Sequence, residues 1–245
     1  MAIENFVLRL VERRVLTPNV HHLGFDRVDQ APIVFIPGQF ITLLLKDENG
    51  ALKRRSYSIA TDPSQSNWLE MAISYISKGF ASEKLLNLGI GEELDAMGPV
   101  GRLILQDEPV SRYILVGTGT GIAPYRSMIP ALKARLEREP HFEVVILQGV
   151  PYRTDILYDE DFKALAESNP RVKCISCLSR ECGDLQAHEH AGRVQSMFAD
   201  LQLTPGKDVV YLCGNPNMID EAFAGLTAQG FSSKDVRREK YISSN

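Results

Sequence analysis

The chain has 245 residues, 44% of them apolar and 24% charged, proportions that exclude disordered and fibrous classes. Its 27 Lys and Arg against 31 Asp and Glu leave a net charge of −4, which argues against nucleic acid as the main partner. The length allows one large or two modest domains, no run reaches the roughly 18 apolar residues of a membrane span, and the N-terminus lacks the basic-then-apolar pattern of an export signal, so a cytoplasmic protein without membrane insertion is expected.

Alternation at Phe6, Leu8 and Leu10 predicts an edge strand over residues 5–16, and the same pattern predicts a strand over 20–25. The adjacent His21 and His22 fall on opposite faces of that strand, which makes them structural rather than a shared metal site. A turn at Pro37-Gly38-Gln39 leads into a buried strand over 41–45, and Asp47-Glu48-Asn49-Gly50 is a second turn.

Next comes Lys53-Arg54-Arg55-Ser56-Tyr57-Ser58-Ile59-Ala60. On a strand, Arg55 and Tyr57 share one side while Ser56 and Ser58 share the other. A planar cation and a rigid ring are the parts that hold a phosphorylated planar cofactor, although an exposed basic edge leading into an ordinary strand has the same composition. A strand over 69–76 follows, so closely spaced strands predict an antiparallel barrel over roughly the first hundred residues. It is interrupted near Ala81 and Ser82 by a helix with Ser82 as its capping residue. The free N–H groups of that helix start could receive a pyrophosphate, as could those of any capped helix.

The texture changes around Gln106-Asp107-Glu108-Pro109. An apolar run over 112–116 feeds Gly117-Thr118-Gly119-Thr120-Gly121-Ile122-Ala123-Pro124 and then a helical pattern, the strand–turn–helix unit that lets backbone approach a nucleotide pyrophosphate, here spaced G-x-G-x-G. Strands over 142–150, 172–178 and 208–213 alternate with helices over 159–168, 194–201 and 219–229, predicting a doubly wound parallel sheet. Ligands bind such sheets at the carboxyl ends of strands. Three turns there qualify: Gly149-Val150-Pro151, Ser179-Arg180-Glu181 and Gly214-Asn215-Pro216-Asn217. Four Cys in a chain this long do not make a disulfide scaffold, and Cys174 and Cys177 point to opposite faces of a strand, which disfavours a metal site with Cys182.

Arg55-Ser56-Tyr57-Ser58, Gly79-x-x-Ser82, the Gly117–Pro124 turn, Ser179-Arg180-Glu181, Cys213-Gly214-Asn215-Pro216 and Glu239-Lys240-Tyr241 stand in the order seen in bacterial, plant-type ferredoxin/flavodoxin-NADP+ reductases, and the chain resembles that family over nearly its whole length. The resemblance implies an antiparallel six-stranded β-barrel binding FAD (1–107) and a doubly wound parallel α/β domain binding NADP (108–245), whose tail returns to the flavin. It implies that Tyr57 stacks on the isoalloxazine, Ser58 donates near N5, and Arg55 pairs with the pyrophosphate beside Ser56. Ala72, Ile73, Ala81, Ser82 and Thr120 would also contact FAD, and Tyr241 would cover the second flavin face. Thr118, Gly119, Val150, Ser179, Arg180, Arg193 and Asn215 would hold NADP, Arg180 and Arg193 acting as the 2′-phosphate clamp. Cys213 and Glu239 match positions lining the nicotinamide site. Pro151 departs from relatives that carry an Arg there, a role Arg153 could take, and Ile242-Ser243-Ser244-Asn245 extends the plant-type ending.

Ferredoxin or flavodoxin is the implied partner of a monomeric reductase, with Lys53-Arg54 and Arg13-Arg14 as a local docking patch. The alternatives are a stand-alone NAD(P)H-dependent flavin or oxygenase-component reductase, and a nucleotide-binding redox sensor.

Overall fold

The computed structural model describes residues 3–64, 68–181 and 183–241. Cys182 and the 242–245 extension lie outside the described residues. The chain divides into two compact units, the first reaching to Leu105 and including Ala123–Pro130, the second made of Gln106–Ile122 and the chain from Ala131 on.

In the first unit, β1 (Glu4–Thr17), β2 (Val20–Arg27), β3 (Phe40–Lys46), β4 (Leu52–Ser58), β5 (Leu69–Ser74) and β6 (Glu93–Val100) form an antiparallel sheet in the order β4-β3-β6-β1-β2-β5. Its two end strands meet through a bridge between Ile59 and Met71, with the Ala60 N–H donating to the Glu70 carbonyl at 2.7 Å, so the sheet closes into a barrel. Alternate residues, among them Leu8, Leu10, Leu23, Phe25, Ile41 and Leu43, point inward and are fully buried. The helix α1 (Phe80–Asn87) adds Ala81 and Leu85 to that core. Closure removes the exposed edges of a small sheet and fixes where β4 and β5 end.

In the second unit, β7 (Arg112–Thr118), β8 (Glu143–Val150), β9 (Val172–Leu178), β10 (Glu189–Ala191), β11 (Asp208–Gly214) and β12 (Val236–Lys240) form a parallel sheet ordered β10-β9-β8-β7-β11-β12. The connecting helices are α2 (Ala123–Arg138, its first turns grouped with the barrel), α3 (Asp159–Ser168), α4 (Met197–Asp200) and α5 (Pro216–Ala228). Ile114, Val116, Val145, Leu147, Val210 and Leu212 bury one face of the sheet against Phe198 of α4 and Ile219, Ala222 and Leu226 of α5. The chain runs outward from β7 to β10 and returns beyond β7 to β11, which places the switch in strand order between β7 and β11.

Three local expectations are corrected, the first being that β1, expected at an edge, lies inside its sheet between β6 and β2. The 194–201 segment is a 3₁₀ turn, Val194–Ser196, running into the single turn of α4. Helix α5 starts at Pro216, earlier than predicted, because the Asn215 side chain accepts from the Asn217 and Met218 N–H groups and Pro fits the first helical turn. Strands β10 and β12 carry no alternation long enough to predict: β10 has three residues, and β12 reads Val-Arg-Arg-Glu-Lys with only Val236 buried. Both lie at sheet edges, where charged side chains are tolerated.

Cations hold the segment that opens the second unit: Arg138 pairs with Asp107 and Arg237 with Glu108, and Arg135 lies beneath its backbone. Arg135 donates to the carbonyls of Gln106 at 3.1 Å and Glu108 at 2.5 Å, and its guanidinium lies over the Tyr113 and Phe142 rings at 4.5 and 4.1 Å. Among the described residues no helix is long and apolar enough to cross a membrane.

Candidate functional site

In the first unit, β4 presents the Arg55–Ser58 stretch as the alternation requires. Arg55 and Tyr57 are half-buried, Ser56 is exposed and Ser58 is buried. The Tyr57 ring packs on the barrel core, and burial pushes its hydroxyl up to about 12, so it remains a neutral phenol. Ser56 shares a hydrogen bond of 3.0 Å with Thr42 on β3, and an Arg55 Nη donates to the Arg54 carbonyl at 2.8 Å. Ala72 and Ile73 are buried in β5, leaving their backbone as the group a ligand could meet.

Ser82 differs from its expected capping role. Gly79 is the N-cap of α1, and Ser82 lies inside the first turn, where its buried hydroxyl accepts from the Ile76 N–H at 3.1 Å and lies 3.0 Å from the carbonyls of Ile76 and Gly79. The hydroxyl therefore fixes the loop before the helix, and only the backbone N–H groups of the first turn remain as anion donors.

A buried ion pair that the sequence did not flag stands behind the β4 motif. Arg126, on the first turn of α2 that groups with the barrel, donates at 2.5 Å to Glu70 and at 2.7 Å to the Ala60 carbonyl, two residues after Ser58. The two side chains are 5% and 6% exposed. His22 lies 3.7 Å from the other Glu70 oxygen and 3.8 Å from Glu12. These three acid and imidazole groups lie within 4.8 Å of one another, and Arg126 neutralises Glu70 from the other side. The neighbouring Gly38 N–H donates to the Ser127 hydroxyl at 3.1 Å.

Burial by itself raises the Glu70 carboxyl, but hydrogen bonds and charges from His22 and Arg126 outweigh it and hold it at about 2. Because folding lowers this group from its usual 4.5, its contribution is complete above that pH and is lost as pH falls toward 2. Unfolding measured through that acid range should show the wild type losing about 3 kcal/mol that Glu70→Gln does not lose. Parallel curves would mean that another carboxyl titrates.

In the second unit, the Gly-rich turn sits at the switch between β7 and β11. Thr118 ends β7, Gly119 has φ +53 with open space where a Cβ would stand, and Thr120 lies in the 3₁₀ turn Gly119–Ile122. The Asn215 N–H donates to the Thr118 hydroxyl at 2.9 Å, and Gly214, at φ +115, passes so close that a Cβ would stand 2.6 Å from the Thr118 carbonyl. The Asn215 side chain is committed to capping α5.

The parallel pairing of β9 with β10 sets Leu178 beside Ala191, so Ser179-Arg180 and Gly192-Arg193 leave from adjacent strand ends. Ser179, Arg180 and Arg193 are exposed, and Arg193 lies 3.7 Å from Glu221. Val150, ending β8, is buried and accepts from the Ser179 N–H at 3.0 Å. Arg153 does not take up the phosphate role offered by its position: its fork grips Glu189 with two bonds of 2.6 Å and reaches the Asp184 carbonyl at 2.7 Å.

At the ends of β11 and β12, Cys213 pairs in register with Glu239, and the Tyr241 N–H donates to the Gly214 carbonyl at 2.8 Å. Burial and the Glu239 charge push the Cys213 thiol well up, against a hydrogen bond from Tyr241, so it stays protonated. The structure thus brings Cys213, Glu239 and Tyr241 together. Cys174 and Cys177 do face opposite ways: Cys174 lies 3.2 Å from the Phe162 carbonyl of α3, and Cys177 joins the core that packs α4 and α5.

The donor sets fit their expected ligands. The barrel offers a half-buried ring and cation on β4 and, separately, the N-terminus of α1, and the sheet offers an open glycine turn with exposed Ser and Arg at neighbouring strand ends.

Comparison with known proteins agrees. Residues 7–104 match the oxidoreductase FAD-binding domain model, and residues 115–223 match the oxidoreductase NAD-binding domain model. Together with the two-unit fold, these matches define an FAD- and NAD(P)-binding oxidoreductase. Over 248 residues, 97% of this chain and 98% of the relative, the chain is 33% identical to ferredoxin–NADP reductase B of Sorangium cellulosum (strain So ce56). It belongs to the ferredoxin–NADP reductase family. It is also 28% identical over 233 residues to the reductase component of propane 2-monooxygenase from Mycolicibacterium goodii, covering 93% of this chain and 65% of that longer protein. A crystal structure of a ferredoxin NADP+ reductase from Neisseria gonorrhoeae with bound FAD and NADP shares the fold, with a TM-score of 0.82 at 20% identity over 97% of this chain and 99% of that one.

Proposed function

We propose that the chain is an NADPH-dependent reductase of ferredoxin or flavodoxin. The observation that carries this reading is the meeting of Ser179, Arg180 and Arg193 at adjacent strand ends, a cationic, hydroxyl-bearing group suited to a ribose 2′-phosphate. Bound FAD supplies the redox chemistry, taking two electrons as hydride from NADPH and giving them up one at a time to the carrier.

The roles proposed for the protein are to bind and orient. Arg55 meets the FAD pyrophosphate, Tyr57 and Tyr241 offer flat faces, Ser58 supplies a hydroxyl, and Ala81 and Ser82 supply helix-terminal N–H groups. Thr118, Gly119, Val150 and Asn215 shape the dinucleotide cradle. Cys213 and Glu239 line the nicotinamide end, Cys213 as an uncharged thiol. The exposed Arg13, Arg14, Lys53 and Arg54 offer local positive charge to an acidic carrier, with Lys53 partly offset by Asp47 at 3.6 Å.

Anaerobic mixing with NADPH and NADH, followed by flavin absorbance, tests the reading. The wild type should bleach faster with NADPH, and Arg180→Ala should lose about tenfold or more in kcat/KM for NADPH, with NADH turnover and bound FAD retained. Unchanged preference would remove Arg180 from the clamp.

The similarity to the propane monooxygenase reductase component supports a second reading, an oxygenase-component reductase. Electron delivery to ferredoxin and flavodoxin, measured against delivery to an oxygenase component, separates the two.

A further inference from the structure

We propose that His190 is a positioning residue for Arg193: through Ser196 it fixes the turn that presents the Arg193 guanidinium, and so takes part in the choice of NADPH over NADH. The inference deepens the dinucleotide reading proposed above and rests on it.

His190 is the middle residue of β10, half-buried and paired in register with Cys177 of β9. Two residues on, Gly192 turns the chain at φ +113, a conformation that side chains rarely adopt, and its N–H donates to the Leu178 carbonyl at 2.9 Å. The chain then enters the 3₁₀ turn Val194–Ser196, with Arg193 as its N-cap.

The three residues after Arg193 are each tied down separately. Val194 is buried against Gly149 of β8, where a Cβ on that glycine would stand 2.9 Å from a Val194 methyl. Gln195 donates to Glu221 of α5 at 2.9 Å. The Ser196 N–H and hydroxyl both donate to the Arg193 carbonyl, at 3.0 and 2.7 Å, and the Ser196 Oγ lies 3.1 Å from His190 Nε2.

That geometry assigns the histidine's proton. A carbonyl can only accept, so the single Ser196 hydroxyl proton points at Arg193, and the Oγ faces the ring as an acceptor. His190 must therefore carry hydrogen on Nε2 and donate it. The bonds run in one direction, from the His190 N–H to the Ser196 Oγ and from the Ser196 hydroxyl to the Arg193 carbonyl, and each strengthens the other.

The Arg193 backbone is thus held from β10, while its side chain is 74% exposed and lies 3.7 Å from Glu221. So exposed a pair is worth little, and an arriving 2′-phosphate can take the guanidinium from Glu221. A guanidinium on a long stem meets that phosphate well only if its Cα stays in place, because a looser turn spreads the charge over more positions. NADH carries no 2′-phosphate and does not call on Arg193.

The test uses the FAD-loaded enzyme, titrated with adenosine 2′,5′-bisphosphate and with adenosine 5′-monophosphate, and assayed with NADPH and NADH. His190→Ala should weaken the bisphosphate about fivefold and raise KM for NADPH by the same factor, with kcat, the monophosphate and KM for NADH unchanged. His190→Gln, which keeps an N–H donor at the same reach, should bind both nucleotides as the wild type does. The double variant His190→Ala with Ser196→Ala should lose no more than Ser196→Ala alone, because the two act through one bond. If His190→Ala binds the bisphosphate within about twofold of the wild type while Arg193→Ala loses about tenfold or more, the positioning is overturned and the clamp stands. Equal weakening of both nucleotides by His190→Ala would also overturn the positioning. An Arg193→Ala that binds the bisphosphate like the wild type would overturn the clamp's Arg193 and the positioning together.

Discussion

Arg126→Met will lower the stability of the protein by about 3 kcal/mol or more and reduce the FAD it retains. The substitution removes the guanidinium that lies 2.5 Å from Glu70 and 2.7 Å from the Ala60 carbonyl, at a place where both side chains are buried. Removing one partner of a buried pair leaves the other charged and uncompensated, which costs about 3–5 kcal/mol. The carbonyl of Ala60 loses its donor at the same time, and that carbonyl anchors the strand end that carries Tyr57 and Ser58. Denaturant midpoints and the ratio of flavin to protein absorbance measure the two effects. The double variant Arg126→Met with Glu70→Leu should recover much of the stability, because two apolar groups leave no charge to solvate. A single variant as stable as the wild type would show that the pair is not as dry as its burial indicates.

Gly121→Ala will be strongly damaging to the second unit. A Cβ at Gly121 would stand 2.4 Å from the Cys213 carbonyl oxygen and 2.8 Å from the Gly214 Cα, and backbone cannot rotate out of the way. Strands β7 and β11 would have to part at the switch point, where the glycine-rich turn sits. The expected outcome is a loss of several kcal/mol, on the order of the larger overpacking penalties, with NADPH turnover lost in any protein that still folds. Gly119→Ala is the control: its φ of +53 makes alanine strained, but its Cβ would enter open space, so the cost should be about 1 kcal/mol. Equal losses for the two variants would mean that backbone conformation, not close approach, sets the requirement for glycine in this turn.

Where chemistry is local, it could be read from the chain. Alternation over Phe6, Leu8 and Leu10 and over the β7–β9 segments marked the long strands, because burying one face or both imposes a period that a sequence displays. The Arg55–Ser58 stretch and the Gly-rich turn were legible because a strand places alternate side chains on one face and a strand–turn–helix unit has its own punctuation. The edge strands β10 and β12 were not legible: edge positions tolerate charge, and a three-residue strand has no period.

The sequence by itself determined the two-unit plan and the long strands of each unit, since these follow from periodicity or from turn residues a few positions apart. Only the tertiary structure decided which charges are spent internally. Arg153 looked like a phosphate ligand until Glu189, 36 positions away, was seen to occupy it, and Arg126 looked like an ordinary helix residue until Glu70, 56 positions away, was found beneath it. Ser82 became a loop anchor only when Ile76 folded back onto it. An ion pair forms wherever folding sets two side chains within a few ångströms, and separation along the chain carries no trace of that distance.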